Sequence, residues 1–147
     1  MLLNELFNSP IEYNYLINSD EEVRIEFHVG GIKYELHAVK DNFGDLEYLG
    51  SWTISFIEMR SNGGVNHKLN SIPSQTLALK VIPAVVEITR KLIAEKNISH
   101  VVFTAVKAEP SRVSLYRRLA QKLKPSNWEF TEVSYRGEIE FNLREVK

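Results

Sequence analysis

Cysteine is absent from the 147 residues, which excludes disulfides, thiolate zinc sites and a cysteine nucleophile. The missing thiols fit a reducing compartment. Neither sign of charge dominates, since 18 Lys+Arg stand against 19 Asp+Glu for a formal net charge of -1. That balance argues against a global electrostatic grip on nucleic acid or on a membrane surface. No apolar run approaches the ~20 residues of a membrane-spanning helix. The opening Met1-Leu2-Leu3-Asn4-Glu5-Leu6-Phe7 carries an acidic residue and no basic flank, so no secretory signal is expected. Repeats, low-complexity tracts and long charge blocks are missing too. These absences describe an ordinary domain of the cytoplasm, long enough to bury about two-thirds of its unfolded surface without a staple.

What is present is periodicity, and its character changes at Pro73. Leu2, Leu3, Leu6 and Phe7 predict a short helix over residues 2–8, ended by Pro10, whose ring cannot continue one. Ile11–Glu22 reads as a connector. Val23–Val29 and Ile32–His37 alternate as half-buried strands do, and Gly30-Gly31 between them predicts a tight hairpin, because the primed turns need positive φ. Ser51–Met59 is a third strand with Trp52, Ile54 and Phe56 on one face, ended by Ser61-Asn62-Gly63-Gly64. From Ser74 to Lys96 the apolar residues take helical spacing, with Leu77, Val81, Val85, Ile88 and Leu92 in one stripe. Ser74 is the candidate N-cap, and Pro83 should bend the helix.

Ser99–Val106 is apolar on both faces, the mark of a central strand. A second helix is predicted from Arg112 to Leu123, capped by Ser111, burying Val113, Tyr116, Leu119, Ala120 and Leu123 and stopped by Pro125. Trp128–Tyr135 and Glu138–Val146 form a closing hairpin around Arg136-Gly137. The expectation is a single α+β (α/β) domain with a mostly antiparallel mixed sheet of about six strands, two main helices and a short N-terminal helix. Residues 1–22 would hold the helix and connector, 23–60 the meander, and 74–147 the helix–strand–helix–hairpin.

That order resembles the core of the GNAT superfamily of N-acetyltransferases. The local piece that carries the resemblance is Asn97–Val106 (NISHVVFTAV) followed by Ser111–Leu119 (SRVSLYRRL). It is similar to the GNAT strand and helix in which a Leu-Tyr pair precedes a Lys-Leu-Gly-Phe ending. Leu115-Tyr116 match the pair, while Ala120-Gln121 stand where Gly-Phe would. The resemblance extends from Val23 to the end of the chain. The compact plan, the Asn4-Glu5-Leu6-Phe7 opening and the Ser111-Arg112-x-x-Leu115-Tyr116 helix together also resemble small GNAT-like proteins encoded by tailed bacteriophages.

The resemblance implies acetyl-CoA as cofactor and an amine acceptor. It implies Tyr116 as the general acid for the departing CoA thiolate, and Glu58 or His28 as the base on the meander, with His37 and His100 less well placed. It implies that the helix start at Ser74, Gln75, Thr76, Leu77 and Ala78 holds the pyrophosphate through unpaired backbone N–H groups. The family uses glycines there. Asn70–Ala78 contains none, and Pro73 supplies no N–H.

Each residue also has a plainer reading. Tyr116 reads more readily as a core residue with its hydroxyl hydrogen-bonded, and glutamates and histidines on alternating strands usually face solvent. No pair has metal-ligand spacing, and no nucleophile elbow, P-loop or dinucleotide fingerprint occurs. Arg112, Arg117, Arg118, Lys122 and Lys124 gather on or beside the second helix. They form either a face for CoA phosphates, an acidic protein or nucleic acid, or a solvated helix side with cations near its C-terminus. The lack of interleaved aromatics weighs against single-stranded nucleic acid.

Two functions follow. One is a small acetyl-CoA-dependent N-acyltransferase. The other is a non-catalytic GNAT scaffold, a binding or virion-assembly module in a phage-infected cytoplasm or a virion. Such a module would meet a protein partner through the N-terminal helix or exposed strand edges. The glycine-free helix start favours the second, as does the short stretch before Val23, where GNAT enzymes carry a strand and usually two helices.

Overall fold

The computed structural model describes residues 12–42, 49–59, 65–66 and 74–146; of Glu58, residues 65–66 and residues 74–80 it describes the backbone alone. The helix expected over residues 2–8 and the break at Ser61–Gly64 lie outside the described residues. The strands are β1 (Tyr13–Asn18), β2 (Glu22–Val29), β3 (Ile32–Lys40), β4 (Trp52–Met59), β5 (Val65–Asn66), β6 (His100–Val106), β7 (Trp128–Tyr135) and β8 (Glu138–Glu145). The helices are α1 (Ser74–Lys96) and α2 (Pro110–Leu123). The strands make one sheet in the order β1-β2-β3-β4-β6-β8-β7, with β5 beside β4. Every pairing is antiparallel except β4–β6, which the α1 crossover makes parallel.

Six of these strands are legible as periodicity, and the sheet holds two more. β1 replaces part of the expected connector. Tyr13 and Tyr15 lie opposite Phe27 and Ile25, but a bulge then places Ile17 opposite Arg24, on the other face. A register shift of this kind erases the alternation that marks a strand. β5 is two residues long and offers no period at all. The glycine hairpin is as expected, with Gly30 and Gly31 at φ 58° and 76°.

Both helices pack on the same face of the sheet. Val23, Ile25 and Phe27 of β2, Leu36 and Ala38 of β3, and Trp52, Ile54 and Phe56 of β4 are buried there, in one cluster with Val81, Val85, Ile88 and Leu92 of α1. Removing each such large side chain from water contributes about 1.5–3 kcal/mol. Polar contacts tie β1 to the far end of α1: the Tyr15 hydroxyl donates to Glu95 Oε2 at 3.0 Å, and Lys91 sits 5.3 Å from the Tyr13 ring centroid. Helix α1 runs unbroken through Pro83, which is exposed.

Helix α2 begins at Pro110 rather than after Ser111, with Glu109 in the cap position and no side-chain cap bond. Proline is suited to a first helical position, where its missing N–H costs nothing. Arg90 Nη2 of α1 donates to the Lys122 carbonyl at 2.9 Å and joins the helices. On the opposite face, β2 and β3 carry cross-strand charges: Arg24–Glu35 at 3.0 Å, Lys33–Glu26 at 3.1 Å and His37–Glu22 at 2.6 Å. No helix among the described residues is long and apolar enough to cross a membrane.

Candidate functional site

The parallel pair β4–β6 is joined only at its start, Trp52 opposite Val101 and Thr53 opposite Val102. Farther on the strands part. β6 keeps β8 on its other side to the end, and β4 keeps β3. Between them the described residues hold only β5, which pairs with Glu58 and Met59 at the far end of β4. The inner edge of Ile54–Ile57 therefore has no strand partner among the described residues. Along β6 itself, His100–Phe103 is buried throughout, whereas Thr104 and Val106, on the face opposite Phe103, are exposed. The expectation of a strand covered on both sides thus holds for its first half.

The wedge opens toward the carboxyl ends of two neighbouring parallel strands, where open α/β sheets bind ligands. α1 follows β4 and α2 follows β6, so the helices begin on that side, and helix N-termini favour anions.

Tyr116 fills the root of this wedge. Its ring lies 5.6 Å from Phe56 of β4 at 81° and 5.9 Å from Phe103 of β6 at 27°. One aromatic side chain of α2 thus bridges the two parting strands. Helical periodicity put it on the buried face, and its exposure of 3% agrees. The Phe56 backbone N–H donates to its hydroxyl. Burial pushes the phenol pKa up, against the opposing pull of the Arg112 cation and of the Phe56 N–H. The group at the root of the wedge is therefore a neutral phenol at ordinary pH, a donor of protons and not a base.

One turn back on α2, Arg112 and Glu109 sit beside this phenol; both act on it electrostatically. Arg112 Nε lies 3.4 Å from Glu109 Oε2, with side-chain exposures of 15% and 25%. This pair is made by charge alone. Arg112 Nε and Nη2 and Glu109 Oε2 are removed from solvent and have no hydrogen-bond partner among the described residues. Sequence reasoning counted Arg112 within a basic stripe and passed over Glu109, which precedes the helix.

The remaining candidates scatter. Glu58 stands opposite Tyr34 on β3 and Asn66 on β5. Ser74, Gln75, Thr76, Leu77 and Ala78 form the opening turns of α1. His28, His37 and His100 all belong to the sheet face opposite Tyr116. His28 is exposed, His37 pairs with Glu22, and His100 Nε2 lies 2.6 Å from Asn142 Oδ1. None shares a face with the phenol. The basic stripe also comes apart. Arg117 pairs with Glu132 of β7 and lies over Phe141, and Lys124 Nζ donates to the Trp128 carbonyl at 2.9 Å. Lys122 lines a shallow depression of about 440 Å³ with Pro83, Val86, Glu87 and Arg90, none of which belongs to the wedge. Among the described residues no cluster of three or more His, Asp or Glu could hold a metal ion.

A mixed sheet with one parallel pair that parts at its carboxyl ends, and a helix starting beside each parting strand, defines a GNAT-like fold. Comparison with solved structures agrees. The GNAT domain of S. lividans PAT superposes with a TM-score of 0.52 at 10% identity, over 86% of this chain and 62% of that one. Aminoglycoside acetyltransferase AAC(6')-Ib, in complex with coenzyme A and kanamycin, gives 0.49 at 10% identity over 86% and 67%. A GNAT-family acetyltransferase from Streptococcus pneumoniae gives 0.43 at 11% over 88% and 70%. This chain spans less than two-thirds of the S. lividans domain. No family model matches the sequence, and no curated protein sequence does.

Proposed function

We propose that the β4–β6 wedge binds the acyl thioester of acetyl-CoA and that this domain transfers the acyl group to an amine. The observation that carries the reading is the position of Tyr116, a buried neutral phenol held between Phe56 and Phe103 where the parallel strands part. The wedge suits a narrow, extended donor substrate: Ile54–Ile57 offers a strand edge, and backbone N–H groups at the start of α1, over Ser74–Ala78, suit its pyrophosphate.

In the reaction the amine nitrogen bonds to the thioester carbonyl carbon and the carbon–sulfur bond breaks. Tyr116 gives its proton to the departing thiolate and recovers one from solvent, which also takes the proton lost by the amine. Glu58 is the residue assigned to take that amine proton first and pass it on to solvent. The Phe56 N–H, which donates to the phenol oxygen, steadies the phenolate left when that proton departs.

A rival reading, a non-catalytic binding or assembly scaffold, is favoured by the glycine-free α1 start and by β5 lying on the inner edge of β4. Its contact surfaces would be the edge strands β1 and β7, which carry exposed Leu16 and Tyr135. Calorimetric titration with acetyl-CoA separates the two. Saturable heat, together with acceptor-dependent release of free CoA thiol, supports transfer. No heat at millimolar acetyl-CoA removes the acyltransferase reading and leaves the scaffold.

A further inference from the structure

We propose that Arg112 is a carboxylate-recognition residue beside Tyr116 at the root of the wedge, with Glu109 occupying the ligand's place until it arrives. As to which substrate bears the carboxylate, the inference rests on the acyl-transfer reading; as to the site itself, it does not.

The argument starts from what a guanidinium requires. Arg112 is held on the Tyr116 side of α2, four residues before it, and its side chain is only 15% exposed. A charge withdrawn from water is tolerated when hydrogen bonds replace the lost hydration. Here they do not. Nε and Nη2 are sealed from solvent and lack hydrogen-bond partners among the described residues, and the facing Glu109 Oε2 is equally unsatisfied. The carboxylate stands 3.4 Å from Nε, close enough to neutralise the cation but not aligned to bond it.

Nε and Nη2 are adjacent donors of one planar fork, and a carboxylate meets such a fork with two parallel bonds. An incoming carboxylate that displaced Glu109 would satisfy both nitrogens at once. Glu109 can yield, because it sits in the cap position of α2 without a side-chain cap bond and keeps a quarter of its side chain in water. The fork lies beside Tyr116, so a bound carboxylate would be carried by a molecule reaching the root of the wedge. Two sources fit that chemistry: the carboxylate of an amino-acid acceptor, or the terminal carboxylate of a dicarboxylic acyl donor.

The test reads Arg112 directly. Two-dimensional nitrogen–proton spectra of the full chain resolve arginine Nε–H signals, and the Arg112 signal is the one lost in Arg112→Met. Titration with succinate should shift that signal to saturation, while succinamide, or sodium chloride at matched ionic strength, leaves it in place. No shift, or an equal shift with chloride, overturns the proposal. Arg112→Lys keeps the charge but loses the fork, so its affinity for succinate, read from neighbouring backbone amides, should fall at least tenfold. Unchanged affinity in that variant also overturns the proposal.

Enzyme assays then assign the source. A wild-type preference of tenfold or more for succinyl-CoA over acetyl-CoA, abolished in Arg112→Met, assigns the carboxylate to the donor. The same preference for amino acids over their amides assigns it to the acceptor. Succinate binding without acetyl-CoA affinity upholds the site while removing acyl transfer. Acetyl-CoA affinity without a carboxylate effect does the reverse.

Discussion

Tyr116 and Phe56 meet edge to face, with ring centroids 5.6 Å apart, and the Phe56 backbone N–H donates to the same tyrosine's hydroxyl. Ring and hydroxyl are separable by substitution. Tyr116→Phe keeps the packing and loses one hydrogen bond, which should cost about 1 kcal/mol. Tyr116→Ala also removes the ring between Phe56 and Phe103 and should cost about 3–5 kcal/mol. Urea denaturation measures both. If Tyr116 is the acid, Tyr116→Phe should also slow CoA-thiol release by about tenfold or more, and an unchanged rate would reduce the residue to packing.

The same phenol predicts an alkaline limit. Burial raises its pKa in the folded state, so the folded chain holds the phenolic proton more tightly than the unfolded chain, whose tyrosines titrate near about pH 10. The stability this gives is complete below that pH and is lost as pH rises through it toward the folded value. Tyr15, raised by burial and by its bond to Glu95, adds to the same loss. The diagnostic quantity is therefore a difference between proteins. The melting-temperature advantage of wild type over Tyr116→Phe should shrink between about pH 8 and about pH 11. A gap that stayed constant across that range would mean that Tyr116 titrates as an exposed tyrosine.

The parts of this molecule that were legible in the sequence share one property: their signal lies within a single element. Val23–Val29 alternates because one face of β2 meets the core, and Tyr116 falls in a helical stripe because α2 buries one side. β1 escaped because its bulge carries Ile17 to the face opposite Tyr13 and Tyr15, and apolar residues on both faces of an exposed edge strand have no period. The wedge escaped for a different reason. Nothing in the pattern of Ile54–Ile57 or Phe103–Val106 records that these segments lack each other as partners, since periodicity reports which face is buried and not which neighbour is bonded. The meeting of Phe56, Phe103 and Tyr116 from three separate elements is a tertiary fact of that kind. The Glu109–Arg112 pair was closer to hand, at a spacing of three residues, but Glu109 lies just outside the predicted helix and so escaped a search along it.

His100 and Asn142 test the other face of the sheet. They are 8% and 3% exposed, and His100 Nε2 lies 2.6 Å from Asn142 Oδ1, which itself neighbours Glu140 through Asn142 Nδ2 at 2.8 Å. Asn142→Ala withdraws a partner from a buried imidazole and should cost about 1–3 kcal/mol in urea denaturation. His28→Ala, at an exposed position on the same face, should stay within about 0.5 kcal/mol of wild type. Equal effects would mean that the His100–Asn142 contact does not persist in solution.

The charges across β2 and β3 report whether that face is open to water. Arg24 Nε lies 3.0 Å from Glu35 Oε1, Arg24 Nη2 lies 3.9 Å from Glu22 Oε2, and Lys33 pairs with Glu26 at 3.1 Å. Side-chain exposures of 38% for Arg24 and 41% for Lys33 keep both side chains partly in water, with only Arg24 Nε sealed against Glu35, so each pair should be weak. Arg24→Ala and Lys33→Ala should each cost less than about 1 kcal/mol at low salt. In about 1 M sodium chloride, where charges are screened within about 3 Å, the cost should shrink toward zero. Paired urea melts at the two salt concentrations decide the matter. A cost above that ceiling, or one that salt leaves unchanged, would show that water is excluded from this face in solution, as it would be beneath a second copy of the chain. Sedimentation of wild type alongside both variants would then detect that copy directly, because a charge network buried between two chains would weaken their association when either cation is removed.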